Sequence, residues 1–252
     1  MGNSIRFKRV LLKLSGEAIA DKESGDIFDT AKIDEISKVI KDLTDKGVEV
    51  AVVIGAGNIW RGAYGKGLNR ARADQMGMLG TMINSMRMED ALQKAGCKTA
   101  LMCPIQMQGF ATPYNFRDAV KYLEKGKVVI LGGGLGMPFI TTDTAGVVRA
   151  GEIGADVILM AKNIDGIYER DPRLPDGSMN PEVKRYKVIS YDECLAKNLR
   201  ATDISASAIG KDQGVDMYVF ALSDPENIAR AVFGEEIGTL VTHDSSKVSE
   251  TY

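Results

Sequence analysis

The segment VEVAVVIGAGN at residues 48 to 58 decides the fold class of this 252-residue chain. Six of its first seven residues are apolar, and such nearly continuous runs are typical of strands in parallel sheets that are covered on both faces. The glycines that follow, Gly55 and Gly57, predict a tight turn where the strand ends. A buried strand that ends in a glycine turn is a common position for an anion-binding loop.

Strand and helix patterns alternate on both sides of this segment. Further buried strands are predicted by RVLLKL at 9 to 14, KTALMC at 98 to 103, KVVIL at 127 to 131 and DVILMA at 156 to 161. Helices are predicted between them at about 30 to 46, 70 to 95, 115 to 124 and 142 to 153, with Thr142 as the N-cap of the last. This alternation predicts an α/β fold: a three-layer α/β/α sandwich with a central, mostly parallel sheet.

The last third of the chain is less regular. Residues 168 to 186 contain three prolines and many charges, which predicts a surface excursion that could cover a ligand. Helices near 191 to 198 and 204 to 212 and the strands MYVF and GTLVT are predicted beyond it, followed by a flexible polar tail at 243 to 252. We expect a single domain over residues 1 to 252, with two lobes meeting at a nucleotide cleft.

Composition excludes several classes of protein. The chain has 32 Lys and Arg against 34 Asp and Glu, a balance that argues against a nucleic-acid partner held by bulk charge. Its three cysteines form no CxxC pair, which argues against a disulfide framework or a zinc site and predicts reduced core thiols. Neither a membrane span nor a signal-peptide core is recognisable, so we expect no membrane partner and a cytoplasmic location.

Familiar nucleotide motifs are also missing from the sequence. Nothing matches GxxxxGK followed by Ser or Thr, and Trp60 stands where a dinucleotide fingerprint needs glycine. Protein-kinase HRD and DFG elements are absent. The single histidine, His243, lies in the polar tail, so histidine-based acid–base catalysis is not expected.

Three glycine-centred segments each follow a predicted strand: KLSG at 13 to 16, GAGN at 55 to 58, and GGGLGMPFITTD at 132 to 143. Lys13 lies inside an apolar run, where an ammonium group without a partner is costly, so we expect an anion or a carboxylate beside it. The alternative is a lysine that extends to water, but the Ser-Gly that follows favours phosphate.

The other two segments have ordinary alternatives as well. Gly55 and Gly57 could form a simple turn, but the nearby Arg61 favours phosphate, because a guanidinium offers two parallel donors. The third segment is either a glycine-rich connection with an N-cap or a phosphate loop. Phosphate would repel Asp143 unless Lys13, another cation or Mg²⁺ lies next to it, so a lysine–aspartate cluster is predicted.

Five segments, taken in order, resemble the amino acid kinase superfamily: LKLSGEA, VVIGAGNIWRG, ADQMGMLGTMIN, PFITTDTA and AKNIDGIYERDP. The resemblance runs from about residue 8 to residue 242 and is most specific in ADQMGMLGT, the acceptor segment of the branch that phosphorylates UMP. It implies transfer of the ATP γ-phosphoryl group to UMP, giving UDP and ADP for pyrimidine nucleotide biosynthesis, with Mg²⁺ carried by ATP. It also implies a homohexamer that GTP activates and UTP inhibits.

The resemblance implies roles for individual residues. The catalytic group would be Lys13, Arg61, Asp143 and Lys162. The ATP site would comprise Lys13, Leu14, Ser15, Gly16, Gly57, Arg61, Lys162, Asn163, Tyr168 and Asp171. The UMP site would comprise Ala56, Asp74, Leu135, Gly136, Met137, Pro138, Phe139, Ile140, Thr141 and Thr142, with Asp74 at the ribose hydroxyls. No metal held by the protein alone is implied. Taken alone, Asp74 would be a solvated carboxylate at a helix start, and Tyr168 a packing residue.

The chain departs from the superfamily pattern at three positions. GGGN is replaced by GAGN at Ala56, and GTGNP by GLGMP at Leu135 and Met137, so acceptor affinity and regulation are expected to differ while transfer survives. Two rival functions stay open. A kinase acting on a carboxylate or carbamate would lack ADQMGMLGT, and a non-catalytic nucleotide-binding protein would be expected to lack Lys13 or Asp143.

Overall fold

The computed structural model describes residues 5–21, 23–60, 67–174, 176, 178–199, 202–244, 246 and 248. The strands within them are β1 (Arg9–Leu14), β2 (Glu49–Ile54), β3 (Lys98–Cys103), β4 (Thr112–Pro113), β5 (Lys127–Leu131), β6 (Val157–Lys162), β7 (Val188–Ser190), β8 (Asp216–Ala221) and β9 (Thr239–Thr242). The α-helices are α1 (Thr30–Asp45), α2 (Arg70–Lys94), α3 (Phe116–Glu124), α4 (Thr142–Ile153), α5 (Tyr191–Ala196), α6 (Ile204–Gln213) and α7 (Asn227–Val232).

The described strands form one sheet in the order β4-β3-β5-β2-β1-β6-β8-β9-β7. Every pairing is parallel except the one between β8 and β9. The central strand β1 pairs with β2 on one side and β6 on the other. The carboxyl ends of these three strands therefore lie side by side at one edge of the sheet, and the predicted mostly parallel sheet is confirmed.

Side chains of β1 alternate between the two faces of the sheet, as strand geometry requires. Leu12 belongs to a core cluster that includes Ile36 of α1, whereas Leu11 belongs to a second cluster that includes Val147 of α4. Helices thus cover both faces, which confirms the three-layer α/β/α sandwich. Lys13 has the same parity as Leu11 and therefore lies on the α4 face.

Helix α1 forms for the reason that its sequence predicts. Ile33, Ile36, Ile40 and Leu43 recur at helical spacing and are all buried. The side chain of Asp29 accepts a hydrogen bond from the Lys32 N–H at 3.0 Å and caps the first turn. The helix ends just before Gly47, which adopts a positive φ of 87°.

Other elements differ from the predictions. The N-cap of α4 is Thr141, whose hydroxyl accepts from the Thr144 N–H at 3.1 Å, so the prediction of Thr142 was wrong by one residue. The short elements β4, β7 and α7 were not predicted; β4 and β7, with two and three residues, are too short to show a hydrophobic period. The described part of the excursion at 168 to 186 contains only two isolated bridges, Tyr168 with Arg185 and Arg173 with Met179.

The remaining predictions concern cysteines, membrane spans and the tail. Cys97, Cys103 and Cys194 are free and buried, which confirms the predicted core thiols. None of the described helices combines the length and the apolar character that a membrane span needs. Six residues of the tail for which flexibility was predicted, 245, 247 and 249–252, lie outside the described part of the chain.

Candidate functional site

The first two glycine-centred turns pack directly against each other. A Cβ atom added to Gly16 would lie 2.5 Å from the Gly55 carbonyl oxygen and 2.8 Å from the Gly57 nitrogen, so a side chain at residue 16 would collide with backbone. The Gly55 N–H donates to the Leu14 carbonyl at 2.9 Å. The third segment reaches the same place, because a Cβ on Gly55 would lie 3.2 Å from Thr142 Oγ1. The three predicted segments therefore converge at one edge of the sheet.

Asp143 bridges two lysines beside these turns. Its Oδ1 lies 2.6 Å from Lys13 Nζ, and its Oδ2 lies 2.6 Å from Lys162 Nζ. Lys13 comes from β1, Lys162 from the end of the neighbouring β6, and Asp143 from the first turn of α4. All three side chains are less than one-fifth exposed. The predicted lysine–aspartate cluster is present, with a second lysine in it.

The cluster holds more positive than negative charge. Burial alone would raise the pKa of Asp143, but the ammonium groups of Lys13 and Lys162 outweigh it, and the pKa of this carboxyl lies well below its usual range. Burial lowers the pKa of Lys162, and the nearby Lys13 lowers it further. Two ammonium groups share one carboxylate, so an incoming anion would be attracted to this point.

A cavity of about 650 Å³ opens next to the cluster. Lys13, Ser15, Lys162, Asn163, Tyr168 and Asp171 line it, and all of them were assigned to the ATP site from the sequence. Other predicted ATP-site residues differ in placement. The Leu14 side chain is buried in the core, so only its backbone is close to the cavity, and Gly16 and Gly57 lie within the packed turns.

The first part of the excursion, residues 168 to 173, forms part of the wall of this cavity. The two ends of the excursion are joined by the Tyr186 N–H, which donates to the Ile167 carbonyl at 2.8 Å. The buried hydroxyl of Thr239 ties both ends of the excursion to β9, because it accepts from the Ile167 N–H at 2.9 Å and donates to the Tyr186 carbonyl at 2.6 Å. Tyr168 donates to Asp165 at 2.8 Å, and burial raises the pKa of Tyr168 to about 12.

A second, smaller cavity of about 120 Å³ lies on the other side of the glycine turns. Its walls include Ala56, Asp74, Leu135, Met137, Ile140 and Thr142, which were all assigned to the UMP site. Asp74 also accepts from the Phe139 N–H at 2.9 Å and from Arg70 Nε at 3.0 Å. The carboxylate that was assigned to the acceptor therefore also anchors the loop between β5 and α4.

Four predicted acceptor residues do not line the smaller cavity: Gly136, Pro138, Phe139 and Thr141. Gly136 packs against Pro104, and Phe139 is 68% exposed with a positive φ of 70°. Thr141 donates its hydroxyl to Asp203. Asp203 also accepts from Thr144 Oγ1 at 2.8 Å and from the Ala206 N–H at 2.7 Å, so it joins the start of α4 to the start of α6.

Ala56, which replaces the glycine of the superfamily pattern, packs against Gly80 on α2. A Cβ atom on Gly80 would lie 2.9 Å from the Ala56 Cβ and 3.6 Å from the Ile59 Cβ. The methyl group of Ala56 therefore occupies space that a side chain at residue 80 would otherwise fill. The other two departures, Leu135 and Met137, both line the smaller cavity, and Met137 is 57% exposed.

The buried Asn84, which was missed from the sequence, pairs with the half-buried Asn58 and supports the GAGN turn. Asn84 on α2 donates to the Gly55 carbonyl at 2.6 Å and to Asn58 Oδ1 at 2.8 Å. Asn58 in turn donates to the Ile27 carbonyl at 2.8 Å. A polar residue on the buried face of a predicted helix was the available signal, since buried amides need partners.

Arg61 is the fourth predicted catalytic residue. Arg61 lies outside the described residues, as do the five positions that follow it. Its assignment to the transferring phosphate therefore stays a prediction. The other three predicted catalytic residues, Lys13, Asp143 and Lys162, are in direct contact.

Known proteins show similarity over nearly the whole chain. The model of the amino acid kinase family matches residues 8–220. A uridylate kinase from Deinococcus radiodurans is 46% identical over 237 residues, which are 93% of this chain and 95% of the relative. The solved structure of a UMP kinase from Bacillus anthracis is similar with a TM-score of 0.90 at 36% identity, covering 98% of this chain and 99% of that one. A UMP kinase from Ureaplasma parvum gives 0.84 at 30% identity, covering 94% and 97%.

Proposed function

The chain belongs to the amino acid kinase family, and we propose that it transfers the γ-phosphoryl group of ATP to UMP, giving UDP and ADP. The relatives named uridylate kinase and UMP kinase support this reaction, since they cover almost the whole chain at 30% identity or more. The reaction belongs to pyrimidine nucleotide biosynthesis. A single observation of the site supports the proposal further: the charged cluster borders the larger cavity and is next in the chain to Thr142, which lines the smaller one.

Both cavities border the convergent turns, since Ser15 lines the larger one and Ala56 lines the smaller one. Lys13 and Lys162 line the larger cavity, while Thr142, next to Asp143 in the chain, lines the smaller one. We assign the larger cavity to ATP and the smaller to UMP, with their phosphates meeting beside the cluster. The volume of about 650 Å³ is in the usual range for a nucleotide-sized ligand. The acceptor cavity is smaller than a whole nucleotide, so we expect the exposed Met137 to move outward when UMP binds.

Phosphoryl transfer needs alignment and charge neutralisation more than covalent help from the protein. The UMP phosphate oxygen is already a nucleophile, so no general base is required. Lys13 and Lys162 neutralise the moving phosphoryl group, and N–H groups of the glycine turns bind its oxygens. Asp143 holds both ammonium groups in place, which removes the need to reorganise them during the reaction.

Magnesium is proposed to arrive with ATP. Both oxygens of Asp143 are engaged by ammonium groups, and no three His, Cys, Asp or Glu side chains in the described ranges come together as a metal site would need. Mg²⁺ on the ATP phosphates would contribute charge neutralisation there.

An exposed apolar face on α2 supports self-association. Met76, Leu79, Ile83 and Met86 recur at helical spacing and are between 36% and 52% exposed. Such a stripe on one helix is typical of a surface that a second copy covers. We propose the homohexamer that the family resemblance implies, with GTP as activator and UTP as inhibitor, and with α2 in a contact between subunits.

The decisive experiment measures acceptor choice. ADP release is followed with Mg-ATP and each of UMP, CMP, dUMP, glutamate and aspartate, and the UMP reaction is checked for UDP by chromatography. We expect UMP to give the highest kcat/KM, with UDP formed in equal amount to ADP. Turnover with an amino acid but not with UMP would indicate a carboxylate kinase. ATP binding without ADP release for any acceptor would indicate a binding protein.

A further inference from the structure

The loop between β5 and α4, residues 132 to 141, is here called the acceptor loop. Arg149 lies on α4 behind this loop and has no role in the mechanism above. It is only 5% exposed. Its NH1 donates to Glu152 at 2.7 Å, and its NH2 donates to the Gly134 carbonyl at 3.3 Å. The guanidinium carbon lies 3.6 Å from the centre of the Tyr114 ring, so the guanidinium is held from a third side. Tyr114 itself donates to Glu152 at 2.5 Å.

The group formed by Arg149, Glu152 and Tyr114 is expected to add little to the stability of the fold. A buried ion pair often contributes little net stability, because desolvation of the two charges offsets their attraction. Within the described part of the chain, the buried Nε of Arg149 has no hydrogen-bond partner. The hydrogen bond from Arg149 to the Gly134 carbonyl joins this buried charge to the acceptor loop.

The acceptor loop is held at two peptide units, Gly132–Gly133 and Gly134–Leu135, which are separated by one further peptide. On the α2 side, the Gly133 N–H donates to Thr81 Oγ1 at 2.9 Å. On the α4 side, the Gly134 carbonyl accepts from Arg149. Gly133 and Gly134 both have positive φ, at 74° and 59°, so this backbone conformation is available to few residues other than glycine. Each contact fixes the rotation of one peptide plane in an otherwise permissive segment.

Because a peptide unit is planar, the hydrogen bond from Arg149 to the Gly134 carbonyl also sets the direction of the Leu135 N–H. The carbonyl of Gly134 and the N–H of Leu135 belong to one peptide unit, and the described chain contains no cis peptide bond. In a trans peptide the two groups point in opposite directions. Because the carbonyl points to Arg149, the Leu135 N–H points away from it. Gly134 and Leu135 line the acceptor cavity, and Arg149 does not.

We propose that Arg149 is a positioning residue for the acceptor, which holds the Gly134–Leu135 peptide so that the Leu135 N–H binds an oxygen of the acceptor nucleotide. The proposal rests on the assignment of the smaller cavity to UMP. Without the guanidinium, the Gly134–Leu135 peptide can rotate about the flexible backbone of Gly134. The Leu135 N–H then points away from the cavity for part of the time. The ATP cavity lies on the other side of the turns and does not depend on this peptide.

The test compares Arg149→Met with a matched control, Arg9→Met. Arg9 is also a largely buried arginine that donates to a carbonyl, here of the last residue of α4, and pairs with a glutamate: its NH1 lies 2.6 Å from the Ile153 carbonyl, and its Nε lies 2.5 Å from Glu49. It lies at the amino end of β1, at the opposite edge of the sheet from the site. Both variants lose a guanidinium, but only Arg149→Met releases the acceptor loop.

The measurements are KM for UMP, KM for ATP, kcat, and the Kd of UMP by calorimetry without ATP. For Arg149→Met we expect KM and Kd for UMP to rise about ten-fold, with KM for ATP unchanged, as for the loss of one ligand hydrogen bond. Arg149→Lys should recover part of this loss, because an ammonium can still donate to the Gly134 carbonyl. Arg9→Met should lower the melting temperature without raising either value for UMP.

Two results would overturn the proposal. One is unchanged UMP binding in a folded Arg149→Met variant. The other is an equal rise in KM for ATP and UMP, which would indicate a general structural role. If Arg149→Met does not fold, the same comparison is made with Arg149→Gln, whose side chain is shorter and uncharged, and unchanged UMP binding in that variant counts against the proposal. An inactive wild-type enzyme that does not bind UMP would instead contradict the proposed function.

Discussion

Lys13 and Asp143 form an ion pair of 2.6 Å between the central strand β1 and the first turn of α4. The two residues are 130 positions apart, yet they join the KLSG turn to the third glycine-centred segment. Asp143 uses its other oxygen for Lys162, so one carboxylate fixes two ammonium groups. This arrangement places fixed positive charge where the two proposed nucleotides meet.

Replacing Lys13 with Met should lower kcat by a factor of about 10² or more, because one preorganised charge at the transferring phosphoryl group is lost. UMP binding should remain measurable by calorimetry. Lys41→Met is the control, since Lys41 forms an ion pair with Asp45 on α1, away from the site. It should keep kcat within about two-fold, because exposed pairs contribute little. Near-normal turnover of Lys13→Met would reject the assignment.

Asp143→Asn should destabilise the protein by about 3 kcal/mol at neutral pH, because two buried ammonium groups lose their counter-ion. The pKa of Asp143 is lowered in the folded state, so its contribution to stability is complete above the ordinary aspartate pKa of about 3.9. The contribution is lost as pH falls below that value.

Urea unfolding of wild type and Asp143→Asn between pH 7 and pH 2.5 measures this dependence. The difference in unfolding free energy should be constant above about pH 5 and shrink below about pH 4. Asp45→Asn, which breaks an exposed pair, should cost less than about 1 kcal/mol. A difference that grows on acidification would contradict the sign of the Asp143 shift.

Asp74→Ala should reduce the preference for UMP over dUMP by about ten-fold in kcat/KM, if the carboxylate accepts hydrogen bonds from the ribose hydroxyls. Arg70→Ala is the control. Arg70 is 64% exposed and forms an ion pair with Asp74, so its replacement removes a partner of Asp74 but leaves the carboxylate in place. It should keep the preference within about two-fold. Equal discrimination in Asp74→Ala and wild type would exclude ribose recognition by this residue.

Gly80→Ala should destabilise the protein by about 1–3 kcal/mol, because the added Cβ would overlap the methyl group of Ala56. In an Ala56→Gly background the same change should be neutral or stabilising by up to about 1 kcal/mol, since alanine favours a helix over glycine. Chemical denaturation of the four proteins gives the coupling energy. Additive effects of the two substitutions would show that residues 56 and 80 do not compete for the same space.

Ile83→Glu should reduce the assembly size in light scattering, because it places a charge in the apolar stripe of α2. Ile27→Glu is a matched control, since Ile27 and Ile83 are both 46% exposed. The control should elute as the wild type does. A wild type that is monomeric at micromolar concentration would contradict the proposed assembly.

The three glycine segments show what could be predicted about the site. Each one follows a buried apolar run, and in a parallel sheet the carboxyl ends of neighbouring strands meet at one edge. Lys13 and Asp143 were predicted to pair because a buried charge needs a partner. Asn84, Asp203 and Arg149 were missed, since their partners at Gly55, Thr141 and Gly134 are brought to them by helix packing.

The sequence by itself determined the α/β class, the long helices and strands and the family, because hydrophobic period and glycine position are properties of local chain segments. The tertiary structure alone decided which side chains meet. It brought Lys162 to the second oxygen of Asp143, the Ala56 methyl group into the space beside Gly80, and Arg149 to the back of the acceptor loop. These contacts depend on strand order and helix packing, which join residues that no local pattern relates.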